Sequence, residues 1–256
     1  VNIEGNATSF LKVGLNAQFS YRDESSVPAD NGQYQDLMPY GSYYTDDGED
    51  LRYLPNDDIQ ARHPLLLRTF RSREQQHYTF SPKIYSILDL PFGITYTMNF
   101  TTRLEFYHNY THDSSEHPEW GLFGGSAARQ NRLRREWQID NIINWNRTFN
   151  EIHKLDVTLL ANAEKYKSDS DGMDNRTFAP NDILGYHNMT AGALPELSSY
   201  DEVRSADALM ARVNYGLKNK YLLTLSVRRD GSSLFGYSNP RATFPAAALG
   251  WVLSEE

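Results

Sequence analysis

The stretch that decides the fold runs from Ala208 to Glu256 and reads ALMARVNYGLKNKYLLTLSVRRDGSSLFGYSNPRATFPAAALGWVLSEE. Apolar residues occupy every second position on either side of a short polar segment. They are Leu209, Ala211, Val213, Tyr215 and Leu217 before it, and Tyr221, Leu223, Leu225 and Val227 after it. Because a period of two places the two sets of side chains on opposite faces of a strand, the pattern predicts a hairpin with one apolar face. A third strand, Phe244 to Leu253, is predicted to follow.

The segment Lys218-Asn219-Lys220 also predicts the register of this hairpin. A loop with an odd number of residues keeps the two apolar sets in phase, whereas a slip of one residue would move every side chain to the other face. The predicted pairs are Leu217 with Tyr221, Val213 with Leu225, Ala211 with Val227 and, on the polar face, Arg212 with Ser226.

Several short blocks in this stretch match a known family in both content and spacing. They are Arg212-Val213-Asn214-Tyr215, Lys220-Tyr221-Leu222-Leu223-Thr224, Ser226-Val227-Arg228-Arg229-Asp230-Gly231-Ser232-Ser233, Phe235-Gly236, Phe244-Pro245, Gly250-Trp251 and Ser254-Glu255-Glu256. In these blocks the chain resembles a barrel segment of the SusC/RagA-like TonB-dependent outer-membrane transporters. The sequence departs from the family pattern at Leu234 and across Tyr237 to Ala242.

The resemblance implies a fold, a function and a set of partners. It implies that residues 1–256 are part of a large all-β antiparallel transmembrane β-barrel of about 22 strands, with a plug domain and an energy-coupling segment elsewhere. The implied function is energy-dependent import of a nutrient, a glycan or a peptide, across the outer membrane of a Gram-negative, Bacteroidetes-like cell. The implied partners are a SusD-like surface lipoprotein, the TonB system and outer-membrane lipid. It implies no enzyme and no cofactor.

The composition excludes several classes of protein. The chain has 256 residues and no cysteine, which excludes a disulfide framework and a thiolate zinc site. A net charge of -8 argues against a nucleic-acid partner. The mean hydropathy of -0.63 argues against a helical membrane protein, although a barrel remains compatible because only alternate strand residues face lipid. Since the chain begins with Val1, we expect it to belong to a longer one.

Alternation predicts about eight long strands in all, and loops of two kinds. The other strands are Thr8 to Tyr21, His77 to Leu90, Ile94 to Tyr110, Arg134 to Phe149 and Leu155 to Tyr166. Short turns are predicted after Leu90, Phe149 and Lys218, and long loops after Tyr21, Tyr110, Tyr166 and Arg228. This asymmetry is typical of outer-membrane barrels, which have short periplasmic turns and long extracellular loops. Pro82 predicts a bulge, and Asn141 is a polar interruption that the pattern does not explain.

One face of these strands is predicted to contact lipid. Its residues include Leu11, Val13, Leu15, Tyr96, Met98, Phe100, Leu159, Val213, Leu225 and Trp251. Two aromatic belts are predicted at the two membrane interfaces. They comprise Phe92, Trp145, Phe149, Tyr215, Tyr221 and Trp251 near the short turns, and Tyr21, Phe106, Tyr110, Trp137, Tyr166 and Phe244 near the long loops. The alternative is a soluble β-rich carbohydrate-binding protein, a propeller or sandwich, which would bury its apolar face.

Two sets of residues are candidates for binding. Arg103, Glu105, Arg212 and Arg228 are predicted to face the barrel lumen, either as a wall that packs on the plug or as a substrate path. The loop after Tyr21 carries the predicted ligand-binding residues Tyr40, Tyr43, Tyr44, Asp46, Asp47 and Asp50. Its tyrosines would pack within the loop or on the lid lipoprotein, or stack on sugar rings whose hydroxyls donate to the carboxylates.

Other clusters are weaker candidates for chemistry. His108, His112 and His117 lie on a predicted strand end and loop, where their spacing does not converge on a metal. Asp169-Ser170-Asp171-Gly172 fails the pattern of a calcium loop, although irregular coordination by loop carboxylates stays open. Paired carboxylates such as Asp57 and Asp58 are more typical of a solvated loop than of a glycosidase. We therefore predict no catalytic residue and no metal site.

Overall fold

The computed structural model describes residues 1–57, 61–236 and 238–255. Nine antiparallel strands pair in chain order within one sheet. They are β1 (Asn2–Asn6), β2 (Leu11–Asp23), β3 (Arg71–Leu90), β4 (Ile94–Asp113), β5 (Ser126–Phe149), β6 (His153–Arg176), β7 (Glu196–Leu217), β8 (Tyr221–Ser232) and β9 (Arg241–Trp251). Two short helices, α1 (Asn31–Asp36) and α2 (Leu66–Phe70), lie between β2 and β3. Asp58, Tyr237 and Glu256, named above, lie outside the described residues.

The eight strands predicted from alternation are present as β2 to β9. The prediction missed β1, whose sequence NIEGN is too short and too polar to alternate. In the described residues β1 and β9 form the two edges of the sheet. No helix in this part of the chain is long and apolar enough to cross a membrane.

Several strands extend farther toward the long loops than predicted. They begin or end at Arg71 rather than His77, Ser126 rather than Arg134, Arg176 rather than Tyr166, and Glu196 rather than Ala208. These extensions carry polar residues on both faces, so the sequence shows no alternation there although the backbone ladder continues without a break. The calcium-like segment Asp169 to Gly172 consequently lies inside β6, not in a loop.

Each ladder keeps a single register along its whole length. Phe80 pairs with Leu104 and Lys83 with Thr101, so the two strands advance by the same three residues across Pro82. The predicted bulge at Pro82 is therefore wrong. The ladder between β3 and β4 skips Pro82, which has no N–H to donate, and resumes in phase.

The register predicted for the hairpin of β7 and β8 is confirmed. Its pairs include Leu217 with Tyr221, Val213 with Leu225, Ala211 with Val227 and Arg212 with Ser226. Lys218 and Asn219 have φ of 54° and 56°, and the Lys220 amide donates to the Leu217 carbonyl at 3.0 Å. Positive φ at both central residues is the geometry of the tight turn that matches the twist of antiparallel strands.

The constant register sorts the strand side chains into an apolar face and a polar face. The ten residues predicted to contact lipid all lie on the apolar face, and none of them is buried. Leu159 is 44% exposed and Leu225 is 47% exposed. The belt prediction needs correction at Tyr166 and Phe244, which the register places on the polar face.

Little hydrophobic core lies beneath this apolar face. The buried apolar side chains belong mainly to the loops and the long-loop ends of the strands, as in the cluster of Ala127, Phe178 and Met189. An exposed apolar band of this extent is far larger than a soluble monomer tolerates. The architecture therefore disfavours the soluble propeller or sandwich.

Asn141, the polar interruption of the apolar face, has a partner on the neighbouring strand. The Tyr96 hydroxyl donates to Asn141 Oδ1 at 2.6 Å. Tyr96 lies diagonally across from Asn141, because its direct partner on β5 is Ile143. The contact satisfies an amide oxygen that would otherwise lack a hydrogen bond on an apolar surface.

Asp182 clamps two of the long loops together. It accepts hydrogen bonds from the Ser115 amide at 2.5 Å and the Ser115 hydroxyl at 2.8 Å, and it lies 3.1 Å from His112 Nε2. Burial by itself would raise the pKa of the Asp182 carboxyl. The hydrogen bonds from Ser115 and His112 outweigh it, so that the pKa is lowered from its ordinary value of 3.8.

The Tyr96–Asn141 contact generates a test by double substitution. Tyr96→Phe leaves the Asn141 amide unpaired, and we expect the free energy of unfolding of the full-length protein in detergent to fall by about 1 kcal/mol. Tyr96→Phe combined with Asn141→Leu removes both polar groups, so most of that loss should be recovered. Strictly additive effects of the two substitutions would contradict the coupling.

The Asp182 clamp generates a prediction about pH. A lowered pKa means that the carboxylate stabilises the folded loops above pH 3.8, and that this contribution fades as pH falls through the lowered value. At pH 7 the Asp182→Asn variant should show faster hydrogen exchange than the wild type in residues 114–125. The difference should fade as pH falls through that lowered value. A difference that persists in acid would contradict the role of the charge.

Candidate functional site

The four residues predicted to face the lumen share the polar face of the sheet. Arg103 and Glu105 lie on β4, Arg212 on β7 and Arg228 on β8. Glu105 pairs with Arg134 on β5, and Arg212 pairs with Ser226 on β8, so these partners lie on the same polar face. The structure places the four residues in two groups, of which the first is tightly connected.

Glu105 is the centre of the first group and is only 5% exposed. Arg103 donates to its Oε2 at 2.8 Å, while Arg132 and Arg134 lie 3.4 and 3.6 Å from its Oε1. Three cations around one carboxylate offset the cost of burying its charge. This arrangement fixes Glu105 as the anchor of three arginines.

Tyr166 continues the cluster across the next strands. The guanidinium of Arg134 lies 5.5 Å from its ring centre and that of Arg204 lies 5.2 Å from it. On β4, Tyr107 holds Arg132 in the same way at 4.8 Å. These distances are those of cation–π contacts, which restrain the arginines and leave N–H groups free to donate.

An open cavity of about 400 Å³ lies beside this cluster. Its lining includes Arg103, Glu136, Gln138, Glu164, Tyr166, Arg204 and, from the loop after β8, Leu234. Both charge signs and an aromatic ring therefore surround one depression of the polar face. Such a surface can donate to and accept from a hydroxyl-rich or amide-rich molecule.

Arg212 and Arg228 form the second group and lie away from the Glu105 cluster. Arg212 is exposed and pairs across the sheet with Thr158 and Ser226. Arg228 donates from Nε to Asp230 at 2.8 Å. Neither residue lines the cavity beside Glu105.

The predicted ligand-binding loop folds into a small hairpin between Tyr44 and Leu51. The Thr45 amide donates to the Asp50 carbonyl at 3.0 Å, and the Asp47 carboxylate accepts from the Thr45 hydroxyl at 2.5 Å and the Glu49 amide at 3.2 Å. The bond from Thr45 lowers the pKa of Asp47. One oxygen of Asp47 is thus committed to the turn, whereas the Asp46 and Asp50 side chains are exposed.

The tyrosines of this loop divide into packed and exposed residues. Tyr43 packs edge-on against His63 with ring centres 5.7 Å apart, and the Tyr53 hydroxyl donates to Glu119 at 2.9 Å. Tyr40 is 96% exposed and Tyr44 is 54% exposed. The exposed pair has ring surface available to a partner or a ligand, while Tyr43 and Tyr53 hold the loop structure.

The histidines weighed as metal ligands have separate partners. His108 lies 3.2 Å from Glu74, and His112 lies 3.1 Å from Asp182. The His117 ring packs against the ring of Phe70. Among the described residues no three His, Cys, Asp or Glu side chains are grouped as a metal site.

Sequence reasoning missed Arg132, Arg134, Tyr107 and Tyr166 as members of the polar-face cluster. Arg132 fell in a predicted loop because the long-loop end of β5 does not alternate. Tyr166 was assigned to an aromatic belt by its position near a loop. The strand alternation could have placed Tyr166 on the polar face, because it is an even number of residues from Asn162. Asn162 shares the polar face with Asp140.

No protein-family model matches the chain. It is 27% identical over its whole length to TonB-dependent receptor P3 of Formosa agariphila and 38% identical over 33% of its length to TonB-dependent receptor SusC of Bacteroides thetaiotaomicron. The chain covers 26% of the first relative and 8% of the second. It therefore spans at most about a quarter of the curated relatives that it matches.

The fold resembles a solved transporter. The structure of the RagAB peptide transporter superposes with a TM-score of 0.77 at 17% identity, over 96% of this chain and 29% of that one. The nine-stranded antiparallel sheet with an exposed apolar face is the fold that this likeness supports. Together with the sequence similarity along the entire length, it shows that the chain is similar to a barrel segment of the SusC/RagA-like TonB-dependent receptors, which are outer-membrane proteins of Bacteroidetes.

Proposed function

We propose that the chain forms part of the wall of a transporter that imports a nutrient, a glycan or a peptide, across the outer membrane. On this proposal residues 1–256 are a partial barrel domain, and a plug domain occupies the lumen. Uptake draws energy from the TonB system at the periplasmic side, and a SusD-like lipoprotein covers the extracellular side.

The observation that carries the proposal is that the constant strand register gives the sheet one apolar face and one polar face. The apolar face is exposed along strands long enough to cross a bilayer. The polar face carries the Glu105 cluster and its cavity. In a wide barrel the first face contacts lipid and the second lines an aqueous lumen. A wall of this kind suits transport.

The long loops support the proposed lid. They are folded and connected to one another, as Arg62 pairs with Glu119 at 2.6 Å and Arg71 holds Asp113 through two hydrogen bonds of 2.7 and 2.9 Å. A preorganised surface binds a partner with a smaller loss of conformational entropy. Exposed Tyr40 and Tyr44 project from that surface, and tyrosine is enriched in protein interfaces.

Uptake by cells tests the transport function and its substrate. Cells that lack the gene for the full-length protein should lose uptake of either labelled oligosaccharides or labelled peptides, and complementation should restore it. A protonophore should abolish the same uptake, since the barrel itself holds no energy source. Uptake that survives the protonophore would contradict energy coupling, and recovery of the protein as a soluble monomer without detergent would contradict the barrel.

Single substitutions separate the lid role of the tyrosines from ligand stacking. Because Tyr40 is exposed, Tyr40→Ala should weaken co-purification of the lipoprotein at least about tenfold without altering the loop. Tyr43→Ala should also loosen the loop, which limited proteolysis would detect, because Tyr43 packs on His63. Tyr221→Ala at the short-turn end is the matched control and should change neither.

The opposite outcome has a defined meaning. If Tyr40→Ala leaves lipoprotein association intact but weakens binding of an oligosaccharide, the exposed ring contacts ligand. If association and ligand binding both survive Tyr40→Ala and Tyr44→Ala, the assignment of this loop to binding is wrong.

A further inference from the structure

A row of basic side chains follows the long-loop boundary of the apolar face. On the outward side of β5, β6 and β8, the lipid-contacting band includes Trp137, Ala163 and Val227 at its long-loop end. The next residue on the same face of each strand, toward the long loops, is basic: Arg135 on β5, Lys165 on β6 and Arg229 on β8. Lys167 and Arg241 extend the pattern on β6 and β9. We call these five residues the cationic row.

The row carries unpaired positive charge. Asp169 pairs with Arg135 and with Lys167, the latter at 2.9 Å, and Asp207 pairs with Arg241. Asp201 lies across the sheet from Asp169. The five cations thus face three carboxylates, an excess of two positive charges in a chain whose net charge is -8.

Lys165 and Arg229 account for this excess. Both side chains are exposed, and neither makes an ion pair or a hydrogen bond with the residues that the structure describes. Their cross-strand neighbours are uncharged. Lys165 lies between Trp137 and Ser205, and Arg229 lies between Leu209 and Thr243.

The position of the row indicates what it meets. It borders the lipid-contacting band at the end that bears the long loops, which is the extracellular end in outer-membrane barrels. Trp137 beside Lys165 has the amphipathic ring that favours the level of the headgroups. A free cation at that level attracts anionic headgroups, and long Lys and Arg stems can cover apolar surface while the charge stays in the polar layer.

We propose that the cationic row binds the phosphate groups of a phosphorylated lipid in the outer leaflet, with Lys165 and Arg229 as its principal contacts. Charge complementarity selects an anionic occupant, and the location on the lipid side of the wall selects a lipid. The polar-face arginines differ in location, because those around Glu105 converge on its carboxylate and face away from lipid. The proposal depends on the orientation of the barrel and not on what the barrel transports.

The test compares two matched pairs of substitutions in the full-length protein, purified in detergent. Lys165→Gln with Arg229→Gln removes the free cations of the row. Lys154→Gln with Arg212→Gln removes exposed cations of the same types from the polar face of β6 and β7. Native mass spectrometry with added diphosphoryl lipid A should show about tenfold weaker binding for the first pair and unchanged binding for the second.

Three further arms identify the source of the phosphate and guard against misfolding. Dephosphorylated lipid A and phosphatidylcholine should bind weakly to the wild type. Inorganic pyrophosphate, added at ~1 mM as a soluble competitor, should displace little lipid. Equal binding of the dephosphorylated lipid, or an equal loss in both variant pairs, would overturn the proposal. Displacement by pyrophosphate alone would indicate a soluble anion as ligand and overturn the lipid assignment. The single variant Lys165→Gln, at an exposed residue without partners, repeats the test if the double variant does not fold.

Discussion

The hydrogen-bond ladder that keeps one register between neighbouring strands is the interaction on which the rest of this structure depends. In lipid the backbone N–H and C=O groups have no water to bond, so each must find a partner on the next strand. The ladders of β5 with β6 and of β6 with β7 run without a change of register over their whole lengths. Two consistent faces follow from that constancy, and with them the lipid surface and the polar wall.

The part of each strand that meets lipid was the part that could be predicted. Between Leu155 and Ala163, for example, one face must be apolar, so the period of two is visible in the sequence. Beyond Ala163 both faces meet water and the side chains follow no period, although the backbone remains paired as far as Arg176. Strand β1 was missed because its five residues are too few and too polar to alternate, and Asn141 was explained only by its contact with Tyr96.

The candidate site was predictable in outline but not in its contacts. Parity along β4 places Arg103 and Glu105 on the polar face, and the sequence contains that information. Their connection to Arg132 and Tyr166 depends on which residues of β5 and β6 lie opposite, and no local pattern specifies that pairing. The loop presents the same limit, because the contact between Tyr43 and His63 joins residues that no periodicity relates.

The polar extensions of the strands raise the question of what fixes their register, since hydrophobic patterning cannot. A slip in a strand that is polar on both faces costs little in burial. The ladders contain no bulge, so the extensions inherit their register from the lipid-contacting parts, where a slip would expose polar groups to hydrocarbon. Ion pairs such as Arg71 with Asp113 then secure the far ends. The membrane therefore orders the extracellular surface indirectly, through strands that are anchored in it.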